Sequence, residues 1–315
     1  MAGIFGKRTR PVRSEDDAHI LASARVIVGV DGSPGSDMAL RWAARFADAH
    51  RRELCIVHGM NLTGTTWPGG AYSVGSISVV DAARAHGEQA IMRAERVAHA
   101  IAPEVPVSTE VVTDNAAALL IDHSTGAFAV VIGATGSAGT LAHLGSTLLS
   151  VVAHAHGPVV VVRADPKAGG TVHSSGPVVV GIDGGPTSDA AIAAAFAEAA
   201  RRDVELVAVH VFNDQNFGHY AGYDTLRLAD GNPGEAENAI VAERIAGWQE
   251  KFPEVRVARN SYAFAPGEHL LKWSESAQLV VVGSRGRGGF TGMLFGSTAN
   301  TLVQHASCPV MVVHP

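Results

Sequence analysis

The chain writes one unit twice, and that repetition constrains the fold more than any other feature. Residues 25–33 read RVIVGVDGS and residues 177–185 read PVVVGIDGG. Asp31 and His58 recur as Asp183 and His210, each 152 residues on. Gly133 returns as Gly283 after 150 residues, and Gly145 and Pro158 return as Gly296 and Pro309 after 151. Spacing kept this closely marks a duplicated domain, so residues 25–163 and 177–315 are expected to fold alike. Between them ADPKAGGTVHSSG (164–176) carries Gly, Ser and Pro without periodicity and is read as the linker. Residues 1–24 turn from basic to acidic without the apolar core of a signal peptide, and are expected to be a disordered lead-in.

Within each unit, short β-branched runs alternate with alanine-rich helical stretches. The first strand (26–30; 178–182) ends in an aspartate and a turn, with Ser36 or Ser188 expected to cap the helix behind it. A second strand (53–59; 205–211) leads into a variable segment (59–76; 211–233) and a helix near 80–101 or 235–252. A third strand and helix follow, then a fourth strand (129–132; 279–282), a glycine-rich loop, a helix and a last strand, PVVVV or PVMVV. Apolar strands alternating with helices specify an α/β fold: a doubly wound parallel sheet covered on both faces. Ligands bind such sheets at the carboxyl ends of the strands, at the switch point where strand order reverses. Asp31, Asp183 and both glycine loops fall at that edge.

In the second unit the loop reads Gly283-x2-Gly286-x9-Gly296-Ser297-Thr298. Glycine permits positive φ and lets a phosphate approach bare N–H groups, and the helix behind the loop adds its own unsatisfied donors. Ser297 and Thr298 supply hydroxyls, and Arg285 and Arg287 suit phosphate because guanidinium presents paired donors in one plane. The carboxylate of Asp183, followed by Gly184, suits a ribose hydroxyl or an adenine amine. The first unit has Asp31, Gly32, Gly59, Gly133, Gly136, Gly145, Ser146 and Thr147 at the matching positions, with eight residues instead of nine between Gly136 and Gly145. It lacks both arginines, so unequal sites are expected, the second tighter.

These residues together resemble the universal stress protein family, in its ATP-binding branch and as a tandem member, over essentially all of the chain from residue 25. The quoted strand–turn VGVDGSPGSDMALRWA, the strand VAVHV and the terminal SCPVMVV carry the resemblance beside the glycine motif. It implies two Rossmann-like, flavodoxin-like domains with five-stranded sheets of order 3-2-1-4-5. It also implies ATP at each switch point, with Asp183 on the adenosine, backbone at Val211 on the adenine edge, and Gly283, Gly286, Gly296 and Ser297 on ribose and phosphates. ADP, AMP and cyclic AMP stay open as alternatives, as does Mg2+. The family habit of pairing through last strands implies that 158–162 and 309–313 pair within the molecule. It implies a homodimer of tandem chains, and a stress-response regulator with an unidentified protein partner.

The remaining features exclude other classes. A net charge of −6 argues against broad nucleic-acid binding. No apolar run reaches membrane-spanning length. Cys55 and Cys308 lie in unlike apolar contexts and read as buried thiols of a reducing cytoplasm. The 15 histidines show no ligand spacing, so structural or solvated roles are expected and no metal site. Trp42 and Trp248 fall at helical spacing among apolar residues and are expected in the core. No catalytic residue is assigned: the chain has no P-loop lysine and no G-x-S-x-G elbow. A slow ATPase or autophosphorylating protein, with Ser297 or a residue of the variable segments as acceptor, is the enzyme alternative, and a nucleotide-free interaction module is the third.

Overall fold

The computed structural model describes residues 24–60, 74–113, 115–135, 145–183, 186–212, 233–286 and 295–314. The lead-in to residue 23, most of both variable segments, and Gly136, Gly184 and Arg287 lie outside them. The first half runs β1 (Val26–Gly29), α1 (Pro34–His50), β2 (Leu54–Gly59), α2 (Val74–Ile101), β3 (Val107–Val112), α3 (Ala116–Ser124), β4 (Ala129–Gly133), α4 (Ser146–His154) and β5 (Val159–Val162). The second repeats it as β6 (Val178–Ile182), α5 (Pro186–Arg202), β7 (Leu206–Phe212), α6 (Pro233–Lys251), β8 (Val257–Ala263), α7 (Pro266–Ser274), β9 (Leu279–Gly283), α8 (Ser297–His305) and β10 (Val310–Val313).

The start of α1 corrects one expectation. Ser33, not Ser36, is the cap, and its hydroxyl accepts the N–H of Ser36 at 3.1 Å. Pro34 can begin the helix because a first-turn residue needs no intrahelical N–H. Ser36 and Ser188 are instead buried inside the first turn. Each hydroxyl turns back to accept the N–H of Asp31 or Asp183 at 3.3 Å, which fixes the aspartate backbone against the helix.

All strands of each half are parallel, and the last strands pair within the molecule as the resemblance implied, so the two sheets join. One ten-stranded sheet runs β3-β2-β1-β4-β5-β10-β9-β6-β7-β8. The join is the antiparallel pair β5–β10, with Val161 opposite Val310, Val160 opposite Met311 and Val159 opposite Val312. Both strands are fully buried, so their edge N–H and C=O groups need partners, and each supplies the other's. The palindromic order places a pseudo-two-fold axis between them.

Alternation along the strands builds two core layers, each crossing that axis. Val26 and Val28 pack with Leu40, Phe46, Val180 and Phe196 on one face. Ile27 and Val130 pack with Leu120, Val151, Leu270 and Leu302 on the other. Full burial of each such side chain is worth about 1.5–3 kcal/mol, which is why the all-valine strands anchor the fold. Trp42 is buried and stacks on Phe46 with ring centroids 4.7 Å apart. Trp248 lies half-buried beside Phe252 at 6.4 Å.

A polar knot also crosses the axis. Glu198 on α5 occupies the place that Phe46 holds on α1, and is 3% exposed. Its carboxylate lies 2.8 Å from His50 Nε2, 3.0 Å from Arg201 and 2.9 Å from Arg202. Burial is the largest influence on Glu198 and pushes its pKa up. Hydrogen bonding with His50 and the charges of Arg202 and Arg201 outweigh it and hold the carboxyl at about 2. A second clasp is reciprocal. Arg163, just past β5, donates to the carbonyls of Ala306 and Val303 at 2.8 and 2.9 Å, capping the C-terminus of α8. His314, just past β10, contacts the carbonyls of Gly157 and Val152 at the end of α4 at 2.8 and 2.9 Å.

The linker is folded against the second half. Asp165 accepts the N–H of Lys167 at 2.8 Å, and His173 bridges Asp165 (3.0 Å) and the carbonyl of Ala277 (2.9 Å). Composition suggested a plain spacer, but two side chains that find buried partners dock it.

Candidate functional site

In the second half β6 ends at Ile182, and Asp183 follows at the carboxyl edge of the sheet, half-buried. The neighbouring strand β9 ends at Gly283 and delivers the loop beside it. Thr187, in the first turn of α5, donates its hydroxyl to the carbonyl of Arg285 at 2.5 Å and so ties the loop to the helix. A Cβ on Gly283 would sit 3.0 Å from the Thr187 side chain, and one on Gly286 would sit 2.6 Å from Asp183 Oδ2. The Asp183 carboxylate therefore lies against bare backbone, which no larger residue at 286 would allow without moving it. Farther on, the N–H of Gly296 bonds the carbonyl of Ser284 at 2.8 Å and closes the base of the loop.

Gly296 is the cap residue of α8, at φ −60 and ψ 144, and no side chain caps the helix. The first N–H groups of α8 thus point out of the helix with its positive dipole end, beside exposed Ser297 and half-buried Thr298. Exposed Arg285 adds a cation. Val211 lies half-buried on β7, next to His210. His210 is buried and its Nδ1 contacts the carbonyl of Ile182 at 2.7 Å, pinning β7 to the end of β6. The arrangement offers a carboxylate to accept from hydroxyls or amines, and a row of N–H and O–H donors for an oxyanion.

The first half repeats this frame with a tighter interior. Asp31 accepts the N–H of Ser33 at 2.9 Å across Gly32, whose φ of +77 suits glycine. A Cβ on Gly133 would lie 2.4 Å from the carbonyl oxygen of Gly35, and one on Gly35 would lie 1.9 Å from that of Thr135. Thr135 and Gly35 hold the places of Arg285 and Thr187, so here the loop presses directly on the helix. Gly59, at Val211's position, would place a Cβ 2.7 Å from Ala116 Cα, so α3 crowds the end of β2. Gly145 caps α4 without side-chain help, and Ser146 is exposed and Thr147 half-buried. His58 is buried and repeats the contact of His210, with its Nδ1 2.8 Å from the carbonyl of Val30.

Two readings change. Among the described site glycines only Gly32 has positive φ; Gly133, Gly283 and Gly286 are glycines because neighbours come too close for a side chain. Thr187 and Ser284 also belong to the loop's frame. The only hint of Thr187 in the sequence was that it replaces Gly35 of the other copy. Among the described residues no group of three or more His, Cys, Asp or Glu converges, and no helix is long and apolar enough to cross a membrane. Cys55 and Cys308 are both buried and unbridged. Burial pushes the Cys308 thiol up to about 12 and raises that of Cys55.

Known proteins share the tandem organisation and the fold. The model of the universal stress protein family matches twice, over residues 23–163 and 175–314. A universal stress protein of Mycolicibacterium smegmatis is 42% identical over 296 residues, covering 92% of this chain and 97% of that protein. The universal stress protein Rv2623 of Mycobacterium tuberculosis is 39% identical over 301 residues, covering 92% and 96%. Among solved structures, a universal stress protein from Archaeoglobus fulgidus shares the fold with a TM-score of 0.68 at 19% identity, covering 93% of this chain and 96% of that one.

Proposed function

The chain belongs to the universal stress protein family, whose domain it carries twice, and from that premise we propose that it is a nucleotide-binding stress-response regulator, holding ATP at the carboxyl edge of the second half. The observation that carries this reading is the Asp183 carboxylate laid against Gly286, with the uncapped start of α8 beyond it. The residues present fit the ligand. Asp183 would accept from ribose hydroxyls or the adenine amine, and backbone at Val211 would meet the adenine edge. Gly283 and Gly286 let phosphates reach backbone, while Arg285, Ser297, Thr298 and the first N–H groups of α8 would donate to them. Mg2+, if used, would arrive on the phosphates.

In the first half Asp31, Gly133, Gly145, Ser146 and Thr147 keep the frame. The crowding at Gly35 and Gly59 and the missing arginine favour weaker binding, or a less charged nucleotide such as AMP or cyclic AMP. The proposed action is regulatory rather than catalytic: occupancy biases the shape or partner affinity of the chain, which requires that nucleotide bind two states unequally. The two buried thiols suit a cytoplasmic setting. A homodimer is part of the reading. Because β5 and β10 are consumed by each other, its interface must use another surface. The test is the adenine-nucleotide content of the purified chain, with calorimetric titration by ATP of the wild type and of Asp183→Ala. About one tight site per chain, lost in the variant, is expected on the usual scarcity of such sites. No nucleotide and no ATP binding would leave an interaction module instead, and single-turnover release of phosphate would make it an enzyme.

A further inference from the structure

Between the halves lies a cavity of about 210 Å3 that shares Arg285 with the proposed nucleotide contacts. His154 and His156, at the C-terminal end of α4, line it from the first half. Ser284, Arg285, Phe295 and His314 line it from the second. Among the described residues, Asp183, Gly286, Ser297 and Thr298 do not line it, and neither does any acidic side chain. The volume is several times that of a water, near 30 Å3, and below the ~300 Å3 at which drug-sized pockets begin. It suits a phosphate-sized group.

Three observations give the cavity a chemical preference. Ser284 is 3% exposed and lines the cavity. Arg285 and His156 are exposed on the rim and His154 beside them spends only Nδ1, on the carbonyl of Ser150 at 2.9 Å. His314 is fixed by the carbonyls of Val152 and Gly157 and forms part of the wall. The pseudo-two-fold axis supplies an internal comparison. The opposite crevice has Ala134 for Ser284, Thr135 for Arg285, and His305 and Ser307 for His154 and His156. Arg163, at the position of His314, is committed to the carbonyls of Ala306 and Val303. Among the described residues, the hydroxyl of Ser284 and the guanidinium of Arg285 are replaced at the equivalent positions by Ala134 and Thr135.

We propose that this cavity is a binding site for a small oxyanion, of which inorganic phosphate is the simplest, held by Ser284, Arg285, His154 and His156. Because Arg285 and Ser284 sit in the glycine loop of one half and the histidines on the other, the oxyanion joins the loop to the neighbouring domain.

The experiment is calorimetric titration of the full chain with inorganic phosphate, and separately with ATP, for the wild type, His154→Gln/His156→Gln, and Ser284→Ala. Saturable phosphate binding is expected, weakened roughly tenfold or more in the double variant and several-fold in Ser284→Ala, since hydrogen bonds to charged groups are at stake. ATP affinity is expected unchanged in the double variant, whose exposed positions leave the fold intact by thermal unfolding. Three results would overturn the proposal. They are no phosphate binding by wild type up to about 10 mM, undiminished binding in both variants, and equal loss of ATP and phosphate, which would assign the oxyanion to the nucleotide's own phosphates. The phosphate titration decides the matter whether or not ATP binds.

Discussion

Replacing Glu198 by glutamine removes the charge at the centre of the interdomain knot while keeping its shape. The magnitude follows from the depressed pKa. The carboxyl moves from its ordinary value of 4.5 to about 2 on folding, and each unit is worth 1.36 kcal/mol, so ionised Glu198 contributes roughly 3 kcal/mol at pH 7. Solvent takes back little of this, because the Glu198 and His50 side chains are only 4% and 11% exposed. Removing one partner of a buried ion pair costs about 3–5 kcal/mol in other proteins, which agrees. The folded-state pKa lies below the unfolded one, so the stabilisation is fully present above about pH 4.5 and is lost as pH falls toward 2. Urea unfolding followed by tryptophan fluorescence should therefore separate wild type and Glu198→Gln by about 3 kcal/mol at pH 7, and by roughly half that at pH 3. A gap below about 1 kcal/mol at pH 7, or one that does not narrow with acid, would refute the reasoning.

Gly286→Ala pushes a methyl toward Asp183 Oδ2, where a Cβ would lie at 2.6 Å; ATP affinity should fall about tenfold, with stability changed by less than about 1 kcal/mol. Calorimetry and urea unfolding of the same sample check both. Gly35→Ala meets the backbone of Thr135 at 1.9 Å and should cost about 1–3 kcal/mol. Gly145→Ala, with φ −58 and open space around its Cβ, should stay within about 0.5 kcal/mol in the same measurement. Arg163→Ala strips the cap from α8 and should destabilise by about 1.5–3 kcal/mol for two charged hydrogen bonds, against near-neutral Arg163→Ala effects if the clasp were idle. Cys55 and Cys308 should react with a thiol reagent at pH 8 only as the chain unfolds, because burial raises both thiols; rapid labelling of the native protein would contradict their placement.

What the sequence by itself determined is what local chemistry controls. Short β-branched apolar runs placed β1, β4, β6 and β9, proline and glycine placed the turns, and the recurrence of Asp31 as Asp183 and Gly133 as Gly283 placed two equivalent edges. Backbone hydrogen bonding and side-chain alternation act over a few residues, so a repeat in the letters is a repeat in the elements. Even there a local rule erred by three residues: Ser36 offered a capping hydroxyl, but Pro34 had already begun the helix. Tertiary structure decided what depends on groups far apart in the chain. It showed that Gly286 is bare because Asp183 leans on it, and that Glu198, standing where its twin is Phe46, is held by His50 from the other half. It brought Ser284 and Arg285 to His154 and His156 through the β5–β10 join. Two copies of one domain can pack about an axis in many ways. The one chosen is set by complementary burial over whole faces, and no short stretch of sequence encodes that.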